Sequence, residues 1–300
     1  MSNARPRSDA PRRDAPRRDA KQNQAGGALK LAPDLEWPGQ STALLRALGI
    51  LTERGALTAD ARRKLKQVQH LVTLLRPFLD AAFEANEEPV LADCGAGKSY
   101  LGFVLYDLIF GPRGRGRVAA IEARPALVEA TQARAAQFGM ERLTAHAAPI
   151  AEARLPHPVH LVTALHACDT ATDDAIRMAL AHDARWIALV PCCQAEAARL
   201  LGDVPSERLS PLWRHPIQRR EFGSHITNVI RALFLEARGY RVRVTELTGL
   251  EHSMKNELIL AERIQRGNRQ AERQLAALLE EVPLPLGLLS SHPVEPVNDP

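Results

Sequence analysis

Three groups of residues in this 300-residue chain have the types and spacing to do chemistry. The first is Asp93-Cys94-Gly95-Ala96-Gly97, which follows the apolar run Val90-Leu91-Ala92 and precedes a helical pattern. Gly95 and Gly97 allow the backbone to approach a ligand where a Cβ would collide. The second is Glu122, at the end of the next apolar run, Arg117–Glu122. A carboxylate there can accept hydrogen bonds from both hydroxyls of a ribose. The glycines alone describe a tight turn; Asp93 and Glu122, one helix apart, are far more specific. The third group is His166-Ala167-Cys168-Asp169 together with Pro191-Cys192-Cys193, each following another apolar run.

A glycine loop this short leaves room for the methionine half of S-adenosylmethionine, with Asp93 toward its ammonium and Glu122 on its ribose. Leu165 and His166, where the run His160–Leu165 ends, border the same crevice. The rival is a phosphate loop, since Ala92 to Ser99 matches a relaxed form of that pattern with Lys98 and Ser99 in register. Against it, Asp93 would repel phosphate from inside the cradle and the first glycine is missing. No later strand ends in an aspartate suited to magnesium, and Glu122 would have no task. S-adenosylmethionine is therefore the expected cofactor; nucleotide binding through Lys98 and Ser99 is the alternative.

In an open parallel sheet the ends of neighbouring strands border the ligand crevice, so His166, Cys168, Cys192 and Cys193 should converge there. Methyl transfer is an in-line displacement, in which the protein positions the acceptor and removes a proton if one must leave. His166 has a suitable pKa for that task, and Asp169 could orient it or hydrogen-bond the acceptor. Alternatively Cys168 or Cys192 attacks a pyrimidine ring. A zinc set of one histidine and three cysteines is disfavoured, because adjacent cysteines on an extended segment face opposite ways; no metal is expected. A buried thiol with only a packing role is the plain alternative for Cys193.

Trp213-Arg214-His215 and Arg219-Arg220 read as a loop on the crevice side, either a phosphate grip through Arg214 and Arg219 with the indole stacking a base, or a plain solvated surface loop. Lys255 and Asn256, at the start of the last strand, either reach an acceptor or form a plain surface turn. Gly111 to Arg117 reads as a flexible turn, and Thr172 and Asp173 as a helix N-terminus.

These residues need a scaffold, and the chain supplies its rhythm from Pro89. Short apolar strands (Val90–Asp93, Arg117–Glu122, His160–Leu165, Arg185–Pro191) alternate with helices near Tyr100–Phe110, Pro125–Phe138 and Thr172–His182, which predicts a parallel sheet covered on both faces. A long helix from about Ser224 to Arg238 is capped by Gly239. Two last strands, Arg241–Leu247 and Glu257–Ala261, are close enough for an antiparallel pair. The expected fold is α/β, a Rossmann-like class I methyltransferase sheet with an N-terminal helical extension. In that extension Ser41–Glu53 and Thr58–Asn86 read as helices, the second presenting one apolar face from Leu65 to Phe83 that Pro77 should kink or split.

Leu165-His166-Ala167-Cys168-x-x-Ala171-Thr172-Asp173, Pro191-Cys192-Cys193 and Ser253-Met254-Lys255-Asn256 resemble one methyltransferase family over about Pro89 to Ala261. It includes the glutathione S-transferase C-terminal-domain-containing protein, methyltransferase-like relatives and the eukaryotic tRNA acceptor-stem 2′-O-methyltransferases. The resemblance implies methyl transfer. Asp169 stands where those relatives usually carry glycine, and the zinc modules of the tRNA enzymes have no counterpart here.

Composition adds bounds. At 45% hydrophobic and 25% charged the chain is an ordinary globular protein, without an apolar run of membrane-spanning length. Four cysteines make no disulfide framework, and with no secretory signal the expected location is cytoplasmic. Residues 1–27 hold seven basic and three acidic residues; the other 273 balance at 32 of each, out of totals of 39 and 35. The tail repeats Asp-Ala-Pro-Arg-Arg and cannot bury a core, so it should be disordered, either solubilising or a mobile arm for polyanions. The division expected is a basic tail over 1–30, a helical extension over 31–88, the methyltransferase domain over 89–262, and a C-terminal helix with a Pro-rich tail over 263–300. The expected acceptor is RNA, next a protein side chain; a non-catalytic RNA-binding module on this fold is a further alternative.

Overall fold

The computed structural model describes residues 39–52, 59–156, 158–165, 167, 169–191, 195–204, 208–247 and 257–290. The basic repeat of the tail and the Pro-rich C-terminus lie outside them. Seven strands form one sheet: β1 (Val90–Cys94), β2 (Arg117–Glu122), β3 (Leu143–Ala147), β4 (Leu161–Leu165), β5 (Trp186–Val190), β6 (Tyr240–Glu246) and β7 (Glu257–Arg263). Their order is β3-β2-β1-β4-β5-β7-β6, with β7 antiparallel to both neighbours and the other pairings parallel. This is the class I methyltransferase arrangement expected above.

The central strands are buried on both faces because their residues alternate between two cores. Leu91, Leu161, Trp186, Ala188, Leu258 and Leu260 pack on one side. Ala92, Val162, Ile187, Leu189, Ile259 and Ala261 pack on the other. Over the first face lie α1 (Thr42–Ala47), α2 (Ala59–Ala85), and α3 (Tyr100–Leu105), which runs through a π turn at Tyr106–Phe110 into α4 (Gly111–Arg113). Following β2, α5 (Pro125–Gln137) adds Ala135 to the same core. Over the second lie α6 (Thr170–Ala181), α7 (Ala195–Leu200), α8 (Pro216–Ala237), α9 (Arg269–Glu281) and α10 (Gly287–Ser290).

The apolar face of α2 is buried as its periodicity requires: Leu65, Val68, Leu71, Val72, Leu75, Leu79, Ala82 and Phe83 enter the first core. Pro77 sits inside this helix without ending it. Tertiary packing along the whole face holds the helix together across the missing hydrogen bond.

Four features differ from the sequence reading. Strand β3 had no apolar run to announce it, since only Leu143 of its five residues is buried and the strand forms one edge of the sheet. Helix α8 begins at Pro216, eight residues before the expected Ser224; proline at the first helical position needs no hydrogen bond from its nitrogen, so it opens the helix instead of marking a loop. The last charged helix, expected over 264–281, begins at Arg269, where the Asn268 side chain accepts from the backbone N–H groups of Gln270 and Ala271. The stretch from Gly111 to Arg117 is a clasp and not a flexible turn. Arg115 donates to the carbonyls of Phe83, Asn86 and Glu87 at 2.7, 2.7 and 2.8 Å, and Arg113 pairs with Asp80. These cations satisfy the carbonyl end of α2 and tie it to the start of β2. Gly239 ends α8 at φ 83°, and a Cβ there would stand 2.1 Å from the carbonyl oxygen of Gln265.

Candidate active site

The loop after β1 turns through two glycines with positive φ, Gly95 at 65° and Gly97 at 58°. Its shape is held from the neighbouring strand. Ala96 N–H donates to the Ile121 carbonyl at 2.9 Å, and Gly97 N–H donates to Glu122 Oε2 at 2.9 Å. Glu122 Oε1 also accepts from the backbone N–H and Nε of Arg124, at 3.0 and 2.8 Å. Hydrogen bonding from Arg124 is the largest cause holding the Glu122 carboxyl below its ordinary range, against the opposing effect of burial. The two sequence motifs are thus one object, a carboxylate bonded directly to the glycine loop.

Asp93 is turned inward. It is 2% exposed, Thr163 Oγ1 donates to its Oδ1 at 3.0 Å, and the backbone N–H of Gly102 in the first turn of α3 donates to it as well. Burial pushes its carboxyl up to about 7, partly offset by those two hydrogen bonds. Asp93 therefore fastens the loop to β4 and α3.

This geometry suits an adenosyl cofactor and does not suit a phosphate. A carboxylate already fills the start of α3, where a phosphate would have to sit. Ser99, in the left-handed region at φ 54°, is wholly buried with its hydroxyl unpartnered, so it cannot reach a magnesium ion. The phosphate-loop reading falls on these two points.

At the end of β4, Leu165 is partly buried against the first core. His166 and Cys168 lie outside the described residues, as do Cys192, Cys193, Lys255 and Asn256. Asp169 is described. Its backbone takes φ 55° and ψ −124°, a conformation that costs a non-glycine residue about 1–3 kcal/mol. A glycine would adopt this conformation without that cost. Its Oδ1 accepts from the Glu196 N–H at 3.1 Å, so its carboxylate holds the start of α7. Thr172 Oγ1 donates to the Ala167 carbonyl at 2.7 Å, in keeping with a helix N-terminus.

Asp173 takes part in a larger network that the sequence reading missed. Arg231, on α8 and 1% exposed, donates through Nε to Asp173 Oδ1 at 2.7 Å and through Nη2 to the Asp169 carbonyl at 2.9 Å. Its Nη1 donates to Asn228 Oδ1 at 3.2 Å, and Asn228 Nδ2 donates to Glu257 Oε2 at 2.5 Å. Burial raises the Asp173 carboxyl, opposed by the Arg231 charge. The signal was available: with α8 starting at Pro216, Glu221, Ser224, His225, Asn228 and Arg231 fall on one face at helical spacing.

Helix α8 also rearranges the expected substrate contacts. Trp213 is 4% exposed and stacks on Phe222 at 5.3 Å, so it offers no surface to a base, a correction to the sequence reading. Arg214 is exposed, whereas Arg219 lies on the helix, part-buried against Gly202. Because β6 runs parallel to β5, α8 begins at the edge of the sheet where β1, β2 and β4 end. That crevice edge therefore carries Arg214, Arg219 and Arg220 with one acid, Glu221, over residues 214–221.

The sheet order and the domain match define the class: this chain is an S-adenosylmethionine-dependent methyltransferase. Residues 63–199 match a family model described as a methyltransferase domain. No curated protein matches the sequence. Among solved structures, the chain is similar to a Podospora anserina methyltransferase, at 13% identity and TM-score 0.46 over 76% of this chain and 90% of that one. It is also similar to the magnesium protoporphyrin IX methyltransferase of Synechocystis PCC 6803, at 15% and 0.45 over 75% and 95%. An rRNA methylase from Streptococcus thermophilus matches at 12% and 0.40 over 60% and 89%. Likenesses this distant carry nothing about the acceptor. No helix among the described residues is long and apolar enough to cross a membrane.

Proposed function

We propose that this methyltransferase acts on RNA in the cytoplasm, as a relative of the tRNA 2′-O-methyltransferase family it resembles. The observation that carries the reading is the arginine-rich start of α8 on the crevice edge, within residues 28–300 whose charges balance as a whole. Such an edge attracts a phosphate backbone and repels cationic protein segments. Arg214 and Arg219 contact phosphate, and Lys255 and Asn256, which precede β7 in sequence, contact the acceptor.

Gly95, Gly97 and Glu122 hold the adenosyl cofactor, with Leu165 and His166 along its sulfonium side and Asp93 bracing the loop. When bound, the cofactor supplies an electrophilic methyl group. His166 takes the acceptor proton, and Asp169 fixes the turn that carries His166 by anchoring it to α7. A cysteine-first route through Cys168 or Cys192 is the second reading, motivated by the two thiols that follow β4 and β5.

Transfer of tritiated methyl from S-adenosylmethionine into separated cellular RNA and protein tests the acceptor; label in protein alone would refute the RNA reading. The cofactor site is tested by calorimetry. Glu122→Ala removes two charge-assisted hydrogen bonds to ribose, and the expected loss of about 3 kcal/mol lowers S-adenosylhomocysteine affinity on the order of a hundredfold. Unchanged affinity would remove Glu122 from the site.

Asp93 gives the same measurement a pH dependence. A cationic ligand favours its ionised form, and a carboxyl at about 7 loses that form as pH falls. S-adenosylhomocysteine affinity should therefore decline from pH 8 to pH 6, and Asp93→Asn should flatten the profile. A flat profile in the wild type would separate Asp93 from the ammonium.

A further inference from the structure

We propose that the cavity between α8 and the start of β7 receives the acceptor nucleotide, with Glu257 accepting a hydrogen bond from an N–H of the base and Arg220 meeting a phosphate. This rests on the RNA reading above and gives that substrate a place. The cavity measures about 340 Å³ and opens beside Pro191, which directly follows β5. Among the described residues its wall is Arg220, Glu221, Ser224, His225, Asn228 and Glu257.

Its position fits an acceptor. Leu189 pairs with Ile259 across β5 and β7, and antiparallel register carries Glu257 to the side of Pro191. Leu165 pairs with Val190 across β4 and β5, so the cavity adjoins the strand end that bears the His166 segment. Strands lie about 4.8 Å apart, which leaves the cavity roughly two strand spacings from β4 on the same edge of the sheet as the glycine loop.

Its chemistry is built from the interior. Buried Arg231 and Asp173 hold Asn228, and Asn228 holds one oxygen of Glu257. The other oxygen stands 3.7 Å from His225 Nδ1, an ion-pair distance too long for a hydrogen bond. The side chain of Glu257 is 35% exposed. One oxygen is thus fixed while the other faces the cavity as an acceptor. Every nucleobase offers an amino or ring N–H to such an acceptor. A lysine or arginine of a protein substrate would also suit Glu257 and Glu221; Arg220 in the same wall, with exposed Arg214 just before α8, favours a ligand that brings a phosphate together with an N–H donor. An anionic nucleotide meets both groups favourably.

The test uses the full chain with tritiated S-adenosylmethionine, unfractionated cellular RNA and a total protein fraction. Binding of S-adenosylhomocysteine is measured for each variant to show that the fold and cofactor site persist. Glu257→Gln should lower kcat/KM for RNA at least tenfold with cofactor affinity within twofold of wild type. Arg220→Ala should raise KM for RNA several-fold and make it less sensitive to salt. Ser224→Trp fills the cavity without altering Glu257, and should also suppress RNA methylation. Normal RNA methylation in all three variants would overturn the cavity assignment and leave the RNA reading standing. Methylation of protein and not of RNA by the wild type would overturn both.

Discussion

Replacing Arg231 by methionine should cost about 3–5 kcal/mol of stability at pH 8, because it leaves the Asp173 carboxylate buried without its partner. The guanidinium and the carboxylate are 1% and 2% exposed, so water cannot take over the lost contacts. The same change strips a donor from the Asp169 carbonyl and from Asn228. For a folded domain of this size the loss corresponds to a fall in Tm of roughly 10 °C.

The pH dependence identifies the cause. Burial already raises the Asp173 carboxyl, and Arg231 opposes that shift. Without Arg231 the folded-state pKa rises further above the unfolded value, so the folded state retains a proton that the unfolded chain releases. Stability of the variant is then greatest at low pH and is lost as pH rises through that raised pKa. The deficit against wild type should be larger at pH 8 than at pH 5. Asp173→Asn in the same background should recover part of it. Thermal melts at the two pH values decide the matter, since equal deficits would assign the loss to packing alone.

His166→Ala should lower methyl transfer by about a hundred- to ten-thousandfold, the usual contribution of a general base, while S-adenosylhomocysteine binds nearly as in the wild type. The affinity is spared because the glycine loop is held by its bonds to Ile121 and Glu122 and by Asp93 to Thr163, none of which uses the His166 side chain. Rate and affinity must be read on the same preparation, since a rate loss with parallel loss of affinity would make His166 a cofactor contact only. The thiol route makes a different forecast. Cys168→Ser or Cys192→Ser would then abolish transfer, and RNA containing 5-fluoropyrimidine would trap a covalent adduct. Full activity in all three single variants would move proton removal away from this turn.

Much of the scaffold was determined by local sequence. Strands β1, β2, β4, β5 and β7 are apolar runs because both their faces are buried, and a run that must be apolar throughout is visible without knowing its neighbours. The helices between them, the antiparallel end of the sheet, and the spacing of Asp93 from Glu122 follow from the same kind of pattern. Edge strand β3 was invisible because one buried leucine suffices to seat it. Other features depended on partners far away in sequence. Arg113 and Arg115 look like a loose basic turn until the carbonyl end of α2 stands beside them. Trp213 looks like a stacking surface until Phe222 covers it. Asp93 reads as a ligand contact until Thr163, 70 residues later, turns it inward. Asn228 and Arg231 share a helix face, but their link to Asp173 and Glu257 becomes meaningful only when α6, α8 and β7 meet at one edge of the sheet. A cofactor loop is a contiguous segment with its own geometric demands on φ and on Cβ, so the sequence alone could announce it. A wall assembled from three distant elements makes no such local demand, and only tertiary packing brings it into being.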